Sequence, residues 1–302
     1  MKKVLITGAL GQDGIILSRI FQKKKFEVHG FIESEKEIKV LKVKYYFNNL
    51  TSQKKIRDHL KIIKPNIIIH LASKNETYEK RKNKKNYKVN YLRNLKCNSN
   101  LLNSIIKLDL KTKLIFTGSS LMFKNTNKKV SEKTVLKSTD YYGNYKIDSH
   151  KMIMKMKKEK KIDASTAILF NHDSVFRNKK FLLPRLVKSF VNRDLKFIED
   201  IYKLNISGDF SHAEDICNGI YKLSITKKKI DILILSSGKR FYINKIIDYL
   251  EKHFQYNIKK KYSDKNLNRR IIGSNRLAVK LINYKSLKSP IDACKEILKN
   301  YL

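Results

Sequence analysis

The chain has 302 residues, 41% hydrophobic and 31% charged, with 67 basic against 27 acidic residues for a formal net charge of +40. That suits one large domain, or a domain with a second lobe, holding a sizeable core, and it excludes disorder over the whole length. No run approaches the roughly 18 to 20 apolar residues of a membrane span, Met1-Lys2-Lys3 leads straight into Val4-Leu5-Ile6-Thr7 without a leader's apolar stretch, and Cys97, Cys217 and Cys294 are too scattered for a disulfide framework; a cytoplasmic location is expected.

The basic surplus is mostly lysine, spread from Lys23-Lys24-Lys25 to Lys259-Lys260-Lys261 and accompanied by abundant Asn and Ile. Nucleic-acid readers favour Arg, whose planar fork grips phosphate and guanine bidentately. The pattern fits an AT-rich coding bias, with a nucleic-acid surface as the lesser alternative.

Val4-Leu5-Ile6-Thr7 reads as a short buried strand, followed by Gly8-Ala9-Leu10-Gly11-Gln12-Asp13-Gly14 and by helical spacing over Ile15 to Phe21. A GxxGxxG run at the junction of the first strand and helix lets the backbone approach a pyrophosphate, whose charge is met by amides and the helix N-terminus. Gly8, Gly11, Gln12, Asp13 and Gly14 are therefore candidate dinucleotide contacts. Val28 to Ile32 predicts the second strand. Glu33 at its end can accept from the adenosine ribose hydroxyls and would repel a 2′-phosphate, which favours NAD over NADP; an exposed Glu in the acid-rich turn Glu33, Glu35, Glu37 is the alternative. Asn49, after the strand-like run Tyr45 to Asn48, is placed beside the adenine. Ile56 to Ile63 suits a crossover helix. Ile67 to Ala72, announced by Pro65, reads as a buried strand whose last residues, Leu71 and Ala72, join the cofactor set. Glu79 to Asn86 is a Lys-rich loop or helix.

Leu114 to Thr117 is a further strand, leading to Ser119 and Ser120, and Tyr142-Gly143-Asn144-Tyr145-Lys146 puts Tyr142 and Lys146 on one helical face. A phenol, ordinarily near pKa ~10, becomes a usable base when a neighbouring ammonium and a cationic nicotinamide favour phenolate. Such a pair can take the proton of an alcohol while hydride leaves, with a serine hydroxyl on the same oxygen. Thr166 to Phe170 and Ile232 to Leu235 are more strands, and helices at Ile243 to Phe254 and Pro290 to Tyr301 close the chain. Alternating strands and helices predict an α/β Rossmann fold, a doubly wound parallel sheet over residues 1–170 that binds NAD. Residues 171–302 are expected to form a smaller mixed α/β substrate lobe, with some chain returning to the sheet around 205–235. His172 and His212 lack companions at ligand spacing, so they are read as structural and no metal is expected.

Four stretches carry a family likeness: Leu5 to Gly14 with its Gly-Gln-Asp-Gly run, Glu27-Val28-His29-Gly30, Leu169-Phe170-Asn171-His172-Asp173-Ser174, and Asp209-Phe210-Ser211-His212-Ala213-Glu214-Asp215. The chain resembles the extended short-chain dehydrogenase/reductases, specifically the NAD-dependent epimerase/dehydratase family, and within it the GDP-mannose 4,6-dehydratases. The resemblance implies an NAD(P)-dependent enzyme acting on a nucleotide-diphosphate sugar. It makes Tyr142 the base, Lys146 its partner on the nicotinamide ribose, Ser119 the family's Ser/Thr and Asn171 a contact of the sugar diphosphate. A homodimer or higher homo-oligomer is implied as well.

Three positions depart from that pattern. Leu121 stands where the dehydratases carry the Glu that moves protons during elimination, Gly208 where an arginine clamps the diphosphate, and Glu33-Ser34 where paired arginines favour NADP. Arg269 and Arg270 are candidates to replace the missing clamp. Oxidation at C4 of the hexose needs only Tyr142, Lys146 and Ser119. The expectation is thus a GDP-mannose 4,6-dehydratase-like lyase. A reductase or epimerase of a nucleotide 4-keto-6-deoxy sugar is the alternative raised by Leu121, and a non-catalytic dinucleotide-binding or RNA-binding relative the further one.

Overall fold

The computed structural model describes residues 1–34, 40–74, 84–159, 161–260 and 271–301. The first half of the chain alternates strand and helix: β1 (Lys3–Thr7), α1 (Gln12–Lys23), β2 (Glu27–Ile32), β3 (Val43–Phe47), α2 (Gln53–Ile63), β4 (Ile67–His70), α3 (Lys84–Lys107), β5 (Lys113–Ser119), β6 (Lys129–Val130), α4 (Tyr141–Lys158) and β7 (Asp163–Leu169). The second half is more broken: β8 (Asn171–Asp173), α5 (Leu182–Val191), α6 (Leu195–Lys203), β9 (Ser207–Gly208), β10 (Phe210–His212), α7 (Ala213–Ile225), β11 (Ile232–Leu235), β12 (Phe241–Tyr242), α8 (Asn244–Phe254), β13 (Ile272–Gly273), α9 (Arg276–Ile282) and α10 (Pro290–Leu298).

Seven strands form one sheet in the order β11-β7-β5-β4-β1-β2-β3, every neighbouring pair parallel. The order reverses beside β1, as the predicted doubly wound sheet requires, and that reversal opens a crevice at the strands' C-terminal ends. Apolar residues face both ways because helices cover both sides. Val4 and Ile6 pack with α1 and α7 on one face, while Leu5 packs with α2 and α3 on the other. The seventh strand comes from residues 232–235, beyond the first half of the chain.

Local signals set the boundaries. Ser52 caps α2 by accepting from the Lys55 amide, and Lys64 ends it in the left-handed region just before Pro65. Asp140 caps α4, its carboxylate accepting from the Gly143 amide at 2.7 Å, which fixes where the helix bearing Tyr142 and Lys146 begins. Spacing extends the fourth strand to Ala72, but β4 stops at His70 because the Leu71 and Ala72 amides turn to donate to Thr7 Oγ1. The segment Glu79 to Asn86 falls largely outside the described residues, which resume with α3. Three two-stranded pairs lie outside the sheet, β8 with β10, β9 with β12, and β13 with β6 of the first half, and a further core joins Leu186 and Phe190 of α5 to Ile246, Ile247 and Leu250 of α8 and Ile297 of α10. Among the described residues no helix is long and apolar enough to cross a membrane.

Candidate active site

Two cavities adjoin at the C-terminal ends of the strands. The first, about 350 Å³, is lined by Gly8, Gly11, Gln12, Asp13 and Gly14, by Glu33 after β2, by Asn48 and Asn49 after β3, and by Leu71 and Ala72 after β4. All nine residues that the sequence assigns to a dinucleotide thus line one space. The second, about 320 Å³, is lined by Ser119 at the end of β5 with Ser120 and Leu121 after it, Tyr142 and Lys146 on α4, and Asn171 and His172 of β8. Asp13, Leu71, Ser73 and Arg177 line both cavities. Arg269 and Arg270 lie outside the described residues.

The first cavity fits a dinucleotide on its own geometry. Gly8 turns the chain at φ +70°, and a Cβ there would stand 3.2 Å from the Ala72 backbone, so only glycine leaves room at the floor. No side chain caps α1, which leaves its first amides for an anion. Arg177, on the wall shared with the second cavity, adds a guanidinium.

The negative charge that Asp13 brings to such a place is cancelled. His172 Nε2 lies 3.1 Å from both Asp13 oxygens, and His172 Nδ1 is bonded to the Phe170 carbonyl at 2.6 Å. Burial pushes the Asp13 carboxyl up, but His172 and Arg177 outweigh it and hold it at about 2. His172 shows the mirror effect, burial pulling it down and Asp13 raising it further. Gln12 completes the join, its amide donating to the His172 carbonyl and accepting from Ser174 Oγ at 3.1 Å. The two most distinctive runs of the sequence, Gly-Gln-Asp-Gly and Asn-His-Asp-Ser, are therefore one contact.

In the second cavity the Tyr142 hydroxyl lies 3.4 Å from Ser73 Oγ. Lys146, only 2% exposed, donates from Nζ to the Thr117 carbonyl at 2.6 Å and sits 5.4 Å from the Tyr142 ring centre. Burial disfavours both charged forms, raising the Tyr142 phenol and lowering Lys146 to about 7. Ser119 Oγ accepts from the Leu121 amide, so Ser119 and Leu121 share one tight turn at the end of β5. Tyr145 packs: it is buried, with its hydroxyl 3.5 Å from Asn98 Oδ1.

Behind the site runs a buried polar chain. Thr7 Oγ1 meets His70 Nδ1 at 2.7 Å, His70 Nε2 meets Asn98 Oδ1, and Asn98 donates to Ser149 Oγ. Burial drops His70 to about 4, so it is neutral here. Sequence reasoning missed Ser73, Asn48, Arg93 and Arg177 at the cavity walls. For the two arginines a signal existed: where lysine has been inflated everywhere, an arginine marks a place that needs the fork. His212 bonds Glu296 at 3.0 Å, and among the described residues no cluster of His, Cys, Asp or Glu could hold a metal.

The sequence profile of the GDP-mannose 4,6 dehydratase family matches residues 5–288. The chain belongs to that family. Among relatives, GDP-mannose 4,6 dehydratase 2 of Caenorhabditis elegans is 24% identical over 270 residues, covering 80% of this chain and 68% of its own length. GDP-6-deoxy-D-talose 4-dehydrogenase of Aggregatibacter actinomycetemcomitans is 28% identical over 254 residues, covering 82% and 79%. The family's fold is matched by the crystal structure of UDP-glucuronic acid 4-epimerase from Bacillus cereus in complex with NAD, with a TM-score of 0.81 at 17% identity over 99% of this chain and 96% of that one. The chain is thus an enzyme of the nucleotide-sugar dehydratase and epimerase class.

Proposed function

We propose that this protein is a nicotinamide-dinucleotide-dependent enzyme that works at C4 of the hexose of a nucleotide-diphosphate sugar, oxidising the hydroxyl or reducing the corresponding ketone, without the elimination step. The observation that carries the reading is the wall of the second cavity. Tyr142, Lys146 and Ser119 line it together with Leu121, and Asp13, its one carboxylate among the described lining residues, is held by His172. Elimination needs a group that takes a proton from C5 and another that delivers one to the leaving hydroxyl, and a leucine side chain does neither.

Gly8, Gly11, Gly14 and the first amides of α1 would hold the diphosphate of the dinucleotide, and Glu33 and Asn49 its adenosine. Bound there, a nicotinamide dinucleotide supplies the hydride acceptor for oxidation and the donor for reduction. Tyr142 Oη takes the C4 hydroxyl proton in oxidation and returns it to the oxygen in reduction. Ser119 donates to the same oxygen and fixes its distance from Tyr142. Lys146, whose ammonium burial weakens, holds the phenolate once it forms. Ser120 and Asn171 orient the sugar nucleotide. In this division residues 1–170 carry the dinucleotide and residues 171–302 the sugar nucleotide, with Arg269 and Arg270 assigned to its diphosphate.

The test is incubation with dinucleotide and a panel of nucleotide sugars and 4-keto-6-deoxy nucleotide sugars, read by mass spectrometry. Gain or loss of two hydrogens, or an epimer of unchanged mass, supports the reading. Loss of water from GDP-mannose overturns it in favour of a dehydratase with an unrecognised acid.

A further inference from the structure

The backbone that follows β4 is pinned on both sides of Ser73. Before it, the Leu71 and Ala72 amides donate to Thr7 Oγ1 at 3.2 and 3.1 Å. After it, Asn94 clasps Lys74, accepting from the Lys74 amide at 2.9 Å and donating to the Lys74 carbonyl at 2.8 Å. Thr7 and Asn94 are both buried, so water does not compete for either clasp. Ser73 is held between them on the wall that the two cavities share, with its hydroxyl 3.4 Å from Tyr142 Oη.

That contact falls on the atom that moves the proton. Among the described residues Ser73 is the one hydrogen-bond partner of Tyr142 Oη. Lys146 Nζ is bonded instead to the Thr117 carbonyl at 2.6 Å and stands 5.4 Å from the Tyr142 ring centre, so it acts on the phenol from a distance. Ser119 is a separate group, its Oγ accepting from the Leu121 amide within the turn that ends β5. Burial raises the Tyr142 phenol, and the bond to Ser73 opposes burial. A separation of 3.4 Å is long for two neutral hydroxyls, as catalytic hydrogen bonds often are before substrate arrives. It tightens when one of the oxygens becomes an anion, because a charged acceptor makes the bond shorter and stronger.

We infer that Ser73 is a further catalytic residue of this chain, its hydroxyl donating to Tyr142 Oη and holding the phenolate that takes the hexose proton in oxidation and is left behind in ketone reduction. Two serines then divide the work, Ser119 on the substrate oxygen and Ser73 on the base. The inference rests on the reading of Tyr142 given above.

The experiment follows kcat and KM against pH for the full-length parent, Ser73→Ala, Ser73→Thr and Tyr142→Phe, using dinucleotide and the member of the panel above that turns over fastest. Ser73→Ala should lower kcat about tenfold at neutral pH and move the rising limb of oxidation up by about one pH unit, with KM and dinucleotide affinity at the parent values. Ser73→Thr, which keeps the hydroxyl, should recover most of that loss. Parent kcat and an unmoved limb in Ser73→Ala overturn the inference while leaving Tyr142 as the base. So does a defect confined to KM, or one that Ser73→Thr does not relieve. Turnover retained in Tyr142→Phe, or no turnover of any member of the panel, removes the reading of Tyr142 and this inference with it.

Discussion

Asp13 and His172, 159 positions apart in the chain, meet as a partly buried ion pair with both carboxylate oxygens 3.1 Å from the imidazole Nε2. The pair neutralises an acid at the very turn that would receive an anion. Removing one member leaves the other uncompensated, so Asp13→Ala should cost about 2 kcal/mol of stability by chemical denaturation, less than a fully buried pair would because Asp13 is partly exposed. A loss below about 1 kcal/mol would show the pair to be incidental. Asp13 contributes above its ordinary 3.8 and loses that contribution as pH falls towards about 2. The contribution of His172, raised from 6.5, is full below that value and is lost as pH rises through its higher folded value. The pair is therefore strongest between about pH 4 and 6.5.

His70 acts with the opposite sign. It is folded in the neutral form, lowered by burial from 6.5 to about 4. Its share of stability is complete above pH 6.5 and disappears as pH falls towards 4, amounting to about 3 kcal/mol over that window. His70→Gln should flatten the acid limb of a stability-against-pH curve between those values, and an unchanged limb would refute the assignment.

Tyr142→Phe should lower kcat by about 10²- to 10⁴-fold while dinucleotide affinity stays at the parent value. Because burial raises the Tyr142 phenol, oxidation by the parent should quicken as pH rises through neutrality, and ketone reduction should show the reverse trend. Turnover retained in the phenylalanine variant would dismiss Tyr142 as the proton-transfer group.

Gly143 stands where α4 touches the turn after β5. A Cβ there would fall 2.0 Å from Ser138 Oγ and 2.3 Å from the Leu121 carbonyl oxygen. Gly143→Ala should therefore push away the turn that carries Ser119 and Leu121, costing about 1 to 3 kcal/mol in stability and lowering kcat more than it raises KM. A melting temperature and kcat equal to the parent's would mean the turn yields freely.

How much of this was legible in the sequence follows from the range of each signal. The strand and helix around Gly8 to Gly14 were readable because apolar period, glycines and helix start are all local, and the nine cofactor candidates duly line one cavity. The neighbourhood of Tyr142 was readable from a four-residue spacing. The pairing of Glu33 with two cations was not, since Lys74 and Arg93 reach it from separate elements and neither lies in a motif. The effect of burial on the Tyr142 and Lys146 pair lay out of reach for a related reason: spacing gives proximity, whereas burial, which weakens both charged forms, depends on Phe116, Tyr145 and the rest of the packed interior.

The join between Gln12, Asp13, His172 and Ser174 also dictates an order of events during synthesis. The glycine turn leaves the ribosome well before the segment it joins, and its acid finds its partner only after 159 further positions have been made. Until then Asp13 must stay hydrated and the turn loosely held, so the nucleotide-binding loop should be among the last parts of the first βα unit to become protected from hydrogen exchange.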